Sequence, residues 1–334
     1  MQRDSNGNIV AHWRPFSREL EIETDILEYL QGRGVLEADA LSRGDNIYCK
    51  TRDAIKDKQA MIRRVLELEL QARSDRQWQT GKKSGRLDQV RIVSALQGAE
   101  NVYRKREDGR AMDSLLHMAV DASGSMSGNN MRSAMQLGIA LSDALERTGC
   151  DISIDVWGDY FRSNMPAARR AVLEPIQQRV CQDWNAINGY GAGFTSIGSV
   201  ENIVIKRVTD RMTNAISRAR IGLMPSAVHG GTPGWEALFS AIRKVGKCKQ
   251  SKKILLFVTD GEFTHGRNAV WSADAVALAR SLDVHMVGVG IEGCDVSHIF
   301  SDAISVSSSA MYEVVMKRLA KYIAQEKTGL MRAA

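Results

Sequence analysis

From residue 114 onward the chain alternates between two hydrophobic patterns. LLHMAV at 115–120 is an apolar run of strand length, and Met131, Ala134, Met135, Gly138, Leu141 and Leu145 then recur at helical spacing. ISIDVW at 152–157 alternates apolar and polar residues. KILLFVTD at 253–260 and VHMVGVG at 284–290 read as buried strands, with ADAVALARSLD at 273–283 as the helix between them. Tyr312, Val315, Met316, Leu319 and Ile323 mark a closing amphipathic helix. Strands alternating with helices predict an α/β fold, a doubly wound, mostly parallel sheet flanked by helices. In such sheets ligands gather beyond the carboxyl ends of the strands.

Upstream the pattern differs. Residues 53–76 hold helix formers without Gly or Pro, and Ile55, Met61, Ile62, Val65, Leu66 and Leu68 fall towards one side, which predicts one long helix. WQTGKKSGR at 78–86 reads as a loop, LDQVRIVSALQGAENVYR at 87–104 as a second helical stretch, and EDGR at 107–110 as a break. The expected division is a smaller, mainly helical N-terminal region at 1–112 and an α/β domain at 113–334. Within the latter, roughly 158–230 reads as an insertion around the glycine-rich INGYGAGFTSIGS.

Composition narrows the class. The 334 residues are 44% hydrophobic, ordinary for a soluble globular protein. The opening MQRDSNGN is polar, and no run approaches the ~18 apolar residues of a membrane span. A cytoplasmic location without membrane contact is expected. The five cysteines form no Cys-x-x-Cys pair, which argues against a disulfide framework and a zinc ribbon alike. The net charge of +6 owes much to basic residues between Arg63 and Arg110. Glu67, Glu69, Asp75, Asp88, Glu107 and Asp108 interrupt them, and aromatics are sparse among them, Trp78 and Tyr103 alone, so a solvated face explains them better than a nucleic-acid surface.

Candidate chemistry sits at the strand ends. Asp121 closes the run LLHMAV, with Ser123, Ser125 and Ser127 behind it at alternate positions. Asp260 closes KILLFVT in the same way and is followed by Gly261. Thr232 follows two glycines and precedes Pro233, which is suited to starting a helix. A hard cation such as Mg²⁺ prefers one or two carboxylates, with neutral oxygens and water in its remaining places. Asp121, Ser123, Ser125, Thr232 and Asp260 supply that mixture and leave a position for an outside ligand; Mn²⁺ and Ca²⁺ fit the same donors.

Enzymatic alternatives fare worse. A serine hydrolase elbow at Ser125 needs Gly-x-Ser-x-Gly, but both glycine positions are serine, Ser123 and Ser127. Such a hydrolase would also require a base, His229 or His265, within reach of Ser125. An aspartyl phosphatase wants a second aspartate at 123. The GKKSG segment lacks the earlier glycine of a phosphate-binding loop, since Arg76 stands there. The histidines form no metalloprotease set. Asp155 and Asp159 in DVWGD follow the second strand and read better as turn and surface residues than as neighbours of the site, and Trp157, Trp184, Trp235 and Trp271 are either partner anchors or core residues.

DASGS at 121–125, GGT at 230–232 and TDG at 259–261 together resemble the metal-ion-dependent adhesion site of von Willebrand factor type A domains. That resemblance implies Ser123, Ser125 and Thr232 coordinating the ion directly or nearly so, Asp121 and Asp260 acting directly or through water, and an acidic partner residue completing the shell. GRLDQVRI, LERTGCDISIDVWGD, SRARIGLMPSAVHGGTPGWEAL and VGVGIEGCDVSHIF are similar to the CobT-type subunit of aerobic cobaltochelatase. The similarity implies a subunit that does not hydrolyse ATP itself but works in cobalamin biosynthesis with a MoxR-like AAA+ ATPase of CobS type and a cobalt-inserting large subunit. CobT-type chains are longer and carry an acidic linker that is missing here. A compact relative, as found in bacteriophage genomes, would serve an AAA+ partner in another task. The alternative is a structural or adhesive role, for example in a virion, using the same cation site.

Overall fold

The computed structural model describes residues 2–3, 9–11, 21–71, 78–91, 93, 97–106, 113–146, 150–159, 167–188, 200–261, 263 and 269–324. The N-terminal elements are β1 (Gln2–Arg3), β2 (Ile9–Ala11), β3 (Glu21–Asp25), α1 (Ile26–Gln31) and α2 (Glu37–Gln71). Three short strands follow, β4 (Trp78–Lys82), β5 (Arg86–Leu87) and β6 (Tyr103–Arg106). Then come β7 (Ser114–Asp121), α3 (Asn129–Glu146), β8 (Asp151–Asp159), α4 (Ala167–Asn188), β9 (Val200–Lys206) and α5 (Ala215–Gly222). The chain continues through α6 (Gly234–Gly246), β10 (Lys252–Thr259), α7 (Ala269–Ser281), β11 (Val284–Ile291), β12 (Asp302–Val306) and α8 (Met311–Ala324).

Seven strands form the central sheet in the order β12-β11-β10-β7-β8-β9-β3. Five of them, from β12 to β8, run parallel; β9 is antiparallel to β8, and β3 runs with β9. Every residue of β7 is buried, because helices cover both faces of the sheet and a parallel centre must be apolar on both sides. Leu116, Met118 and Val120 share one cluster with Met131, Leu141, Met316 and Leu319 from α3 and α8. Leu115, Ala119 and Phe257 face Trp235, Leu238 and Trp271 from α6 and α7 on the other side. The doubly wound α/β architecture expected from the hydrophobic pattern is the one observed.

The mainly helical N-terminal region is present, and it shares this core. Ile26, Tyr29, Leu30, Tyr48 and Ile55 lie in the same cluster as Met118 and Val156. Strand β3, EIETD, forms the sheet edge, where the acidic residues meet cations from distant segments: Glu21 pairs with Arg243, Glu23 with Lys244 at 2.8 Å, and Asp25 with Arg220 and Arg207. Asp25 also caps α1, accepting from the Leu27 amide at 3.0 Å.

Several local expectations are corrected. The long helix begins at Glu37, well before 53, and runs through Gly44. That glycine is where α2 meets α5: a Cβ on Gly222 would stand 2.0 Å from the Gly44 carbonyl oxygen, and one on Gly44 2.3 Å from that of Ala219. Of the segments read as a loop at 78–86 and a second helix at 87–104, the described residues place Trp78–Lys82, Arg86–Leu87 and Tyr103–Arg106 in the antiparallel sheet β4-β6-β5, with a 3-10 turn at Gln89–Arg91. The insertion-like stretch contributes β9 and α5 to the sheet and its core. Trp157, Trp235 and Trp271 are core residues, 1%, 0% and 5% exposed, so they are not partner anchors. Residues 189–199 of the glycine-rich stretch, the EDGR break and His265 lie outside the described residues, as does the side chain of Trp184.

Gly222→Ala forces backbone apart at the α2–α5 contact and should lower unfolding stability by roughly 1–3 kcal/mol, the ordinary cost of overpacking, in urea titrations. An unchanged midpoint would mean that α2 does not depend on this crossing.

Candidate metal centre

Strands β7 and β10 are central neighbours with Val258 opposite Val120, so both end at the same level. From β7 the sheet continues to β8 on one side, and from β10 to β11 on the other. This is the switch point at which a doubly wound sheet opens a crevice. Asp121 is fully buried there. Its Oδ1 accepts from the Ser123 amide at 2.7 Å, and its Oδ2 accepts from the Thr259 hydroxyl at 2.7 Å.

The turn after Asp121 keeps its hydroxyls together. Ser123 Oγ and Ser125 Oγ are 3.1 Å apart, and Ser125 donates to Asp260 Oδ1 at 2.7 Å. Asn130, in the first turn of α3, donates to Asp260 Oδ2 at 2.8 Å. Ser123 is buried whereas Ser125 is exposed, so the network reaches the surface on the Ser125 side. Thr232 lies on the facing loop: its Oγ1 is 3.9 Å from where a Cβ on Gly261 would be. Loop and turn are joined by the Gly124 amide donating to the Gly230 carbonyl at 3.4 Å and the His229 amide donating to that of Ala122 at 2.6 Å. Gly230 has φ +68°, and a Cβ there would strike the Asp159 carbonyl oxygen at 2.2 Å, so only glycine lets the loop lie this close to the end of β8.

The structure thus brings Asp121, Ser123, Ser125 and Asp260 into one network, with Thr232 beside it. Thr259 and Asn130 hold the two carboxylates and were assigned no role from sequence. Thr259 stood inside the TDG motif, but Asn130 gave no signal beyond its place at a helix start. Among the described residues no three His, Cys, Asp or Glu side chains form a metal cluster; the donors here are two carboxylates and hydroxyls. Burial pushes the Asp121 carboxyl up to about 7, against the opposing hydrogen bonds of Thr259 and Ser123, and the charge of Asp260 adds to the rise. The donors on Asp121 are a neutral amide and a neutral hydroxyl. A pair of neighbouring carboxylates with no cationic donor to them among the described residues, and with hydroxyls beside them, suits a hard divalent cation.

The hydrolase alternative gains nothing. His229 turns Nδ1 to the Ala227 carbonyl at 2.6 Å and Nε2 towards Glu201, while Ser125 bonds to Asp260. A Ser–His–Asp trio does exist: His117 Nδ1 lies 2.8 Å from Ser153 Oγ, and its Nε2 3.7 Å from Asp155. All three side chains are buried beneath α6, where Lys244 pairs with Asp155, and burial pushes His117 down to about 4. Buried under that helix, the trio is a polar layer of the core. Asp159 borders the site through its backbone carbonyl, which faces Gly230.

One family model, that of the cobalamin biosynthesis protein CobT VWA domain, matches residues 102–170, from just before β7 to beyond β8. The chain resembles CobT. Over those residues it is similar to a VWA domain. No curated protein matches the sequence. Among solved structures, the pilus adhesin SpaC from Lactobacillus rhamnosus GG matches at 13% identity and a TM-score of 0.43, over 63% of this chain and 30% of that one. BatB from Bacteroides thetaiotaomicron matches at 14% and 0.39, over 64% of this chain and 100% of its own. The manganese-loaded TRAP protein of Plasmodium vivax matches at 11% and 0.39, over 61% and 72%. Among the described residues no helix is long and apolar enough to cross a membrane.

The carboxyl of Asp121 makes the fold pH-sensitive. Its folded pKa is raised, so the associated stability is complete below about pH 4 and is lost as pH rises through about 7. In EDTA, the unfolding free energy from urea titrations should therefore fall between pH 5 and pH 8, by up to about 3 kcal/mol. Asp121→Asn should flatten the slope, and an equal slope in that variant would remove Asp121 as its source.

Proposed function

We propose that this chain is a non-catalytic, cation-dependent protein-binding adaptor. The observation that carries the reading is the buried Asp121, joined through Ser123 and Ser125 to Asp260 at an edge that opens to solvent at Ser125. Asp121, Ser123, Ser125, Thr232 and Asp260 would hold Mg²⁺, with Mn²⁺ as an equivalent probe. Bound there, the cation supplies a Lewis-acid position for a carboxylate from outside. Thr259 holds Asp121 from below, and Asn130 fixes Asp260. The loop contacts of His229 and Gly230 keep Thr232 across from the serines.

The resemblance to CobT supports a partner of the MoxR/CobS-like AAA+ type, whose movement this domain would transmit once a partner's acidic residue is latched. Cobalt insertion into a tetrapyrrole is one task such a pair would serve. The N-terminal 112 residues would add a metal-independent contact, for which the exposed Leu87, Val90 and Val93 on and beside the small sheet are candidates.

Capture from native lysate in Mg²⁺ and in EDTA, with Asp121→Ala/Ser123→Ala alongside, tests the latch. A MoxR-like ATPase or its client should be recovered with wild type in Mg²⁺ and lost in EDTA and in the variant. Mn²⁺ affinity should fall in the variant by more than the roughly 10–100-fold that outer-shell losses cost. Capture indifferent to metal and variant would contradict the latch, and recovery of virion proteins alone would favour a structural role.

A further inference from the structure

Beneath the loop that carries Thr232 lies a buried polar cluster that the cation site does not use. His229 and Glu201 are 6% and 3% exposed, and Nε2 of the imidazole faces Glu201 Oε2 across 3.6 Å. Since Nδ1 bonds to a carbonyl, which can only accept, that nitrogen carries the hydrogen and Nε2 is the atom turned to the carboxyl. Glu201 Oε1 accepts from the hydroxyl of Thr24, itself 2% exposed, at 3.1 Å. The Tyr29 ring tilts against the imidazole at 5.4 Å, and a Cβ on Gly158 would stand 3.1 Å from it. Thr24 belongs to β3 and Tyr29 to α1, so two of the three side chains that join His229 in this cluster come from the N-terminal segment.

The same residue holds the cation loop. The backbone amide of His229 donates to Ala122, between Asp121 and Ser123, and the next residue accepts from Gly124. A displaced His229 would therefore move Thr232 and the serine turn relative to each other. Buried polar groups are costly to leave unmatched, and networks of them are held collectively. Glu201 keeps its Thr24 bond only while β3 is docked on β9.

We propose that His229 and Glu201 are positioning residues through which the docked β3–α1 segment fixes the 229–232 loop and so sets the affinity of the site for a divalent cation. The affinity part rests on the cation reading above; the positioning of the loop does not. Docking of β3 depends on the ion pairs of Glu21, Glu23 and Asp25, so a partner that competes for this edge would loosen the cation site at the other end of the cluster.

The test is made on the full chain by amide exchange in EDTA, read residue by residue by NMR, and by Mn²⁺ titration followed by electron paramagnetic resonance. Thr24→Val and Glu201→Leu should each speed exchange of the His229 and Gly124 amides about tenfold, as loss of one buried hydrogen bond implies, while β11 amides stay protected. The Mn²⁺ dissociation constant should rise about tenfold with them. Glu201→Gln, whose amide can donate to Nε2 and accept from Thr24, should recover both to within about threefold; a merely space-filling role would not distinguish Gln from Leu. Unchanged exchange at His229 and Gly124 in either folded variant overturns the proposal. Faster exchange in a wild-type background that binds no Mn²⁺ would overturn the cation reading, and the affinity part with it, while supporting the positioning.

Discussion

Asp121 is a carboxyl with no exposure, held by one hydroxyl and one amide at the point where the two central strands end. Its placement depends on β7 being buried on both faces, on β10 lying beside it in register, and on the chain leaving these strands in opposite directions. The hydrogen bond from Thr259 spans that seam, so the last residue of β10 is fixed by the last residue of β7. Every other donor of the site is reached from this one. Ser123 and Ser125 follow it in the turn, Asp260 follows Thr259, and the 229–232 loop is pinned by the carbonyl of Ala122 next door.

The second constraint acts from the far edge. Strand β3 carries three acids in five residues, and its partners stand on α5, α6 and the turn after β9. The α2–α5 crossing at Gly44 and Gly222 ties the N-terminal region to the same sheet edge by shape alone. Charge and shape together bring Thr24 and Tyr29 under His229, which links the N-terminal region to the site. An exposed serine above a buried carboxyl gives the site an open side at Ser125.

What could be read from sequence follows from how local each signal is. The strands β7, β10 and β11 and the helices α3 and α8 declare themselves because a two-sided core makes their apolar residues contiguous or regularly spaced. DASGS, GGT and TDG are likewise local turns, and the residues they contain do converge. Strand β3 was invisible because EIETD has no apolar stripe; its partners lie up to 222 residues away. Gly44 reads as a helix breaker until the backbone of α5 is seen against it. The small basic sheet at 78–106 offers no alternation, and β9 lies in a segment whose glycine-rich neighbour resembles a linker. His229 read as a lone histidine; its role appears only when β3, β8 and β9 are placed around it.

The claim on which the account turns is that the 121–125 turn, Thr232 and Asp260 enclose a divalent cation. Anomalous diffraction at the manganese edge from Mn²⁺-soaked crystals tests it most directly. One peak within coordination distance of Ser123 Oγ and Ser125 Oγ, and facing Thr232, is the expected result. A well-ordered site with no peak at saturating Mn²⁺, or a peak only elsewhere on the surface, would contradict it.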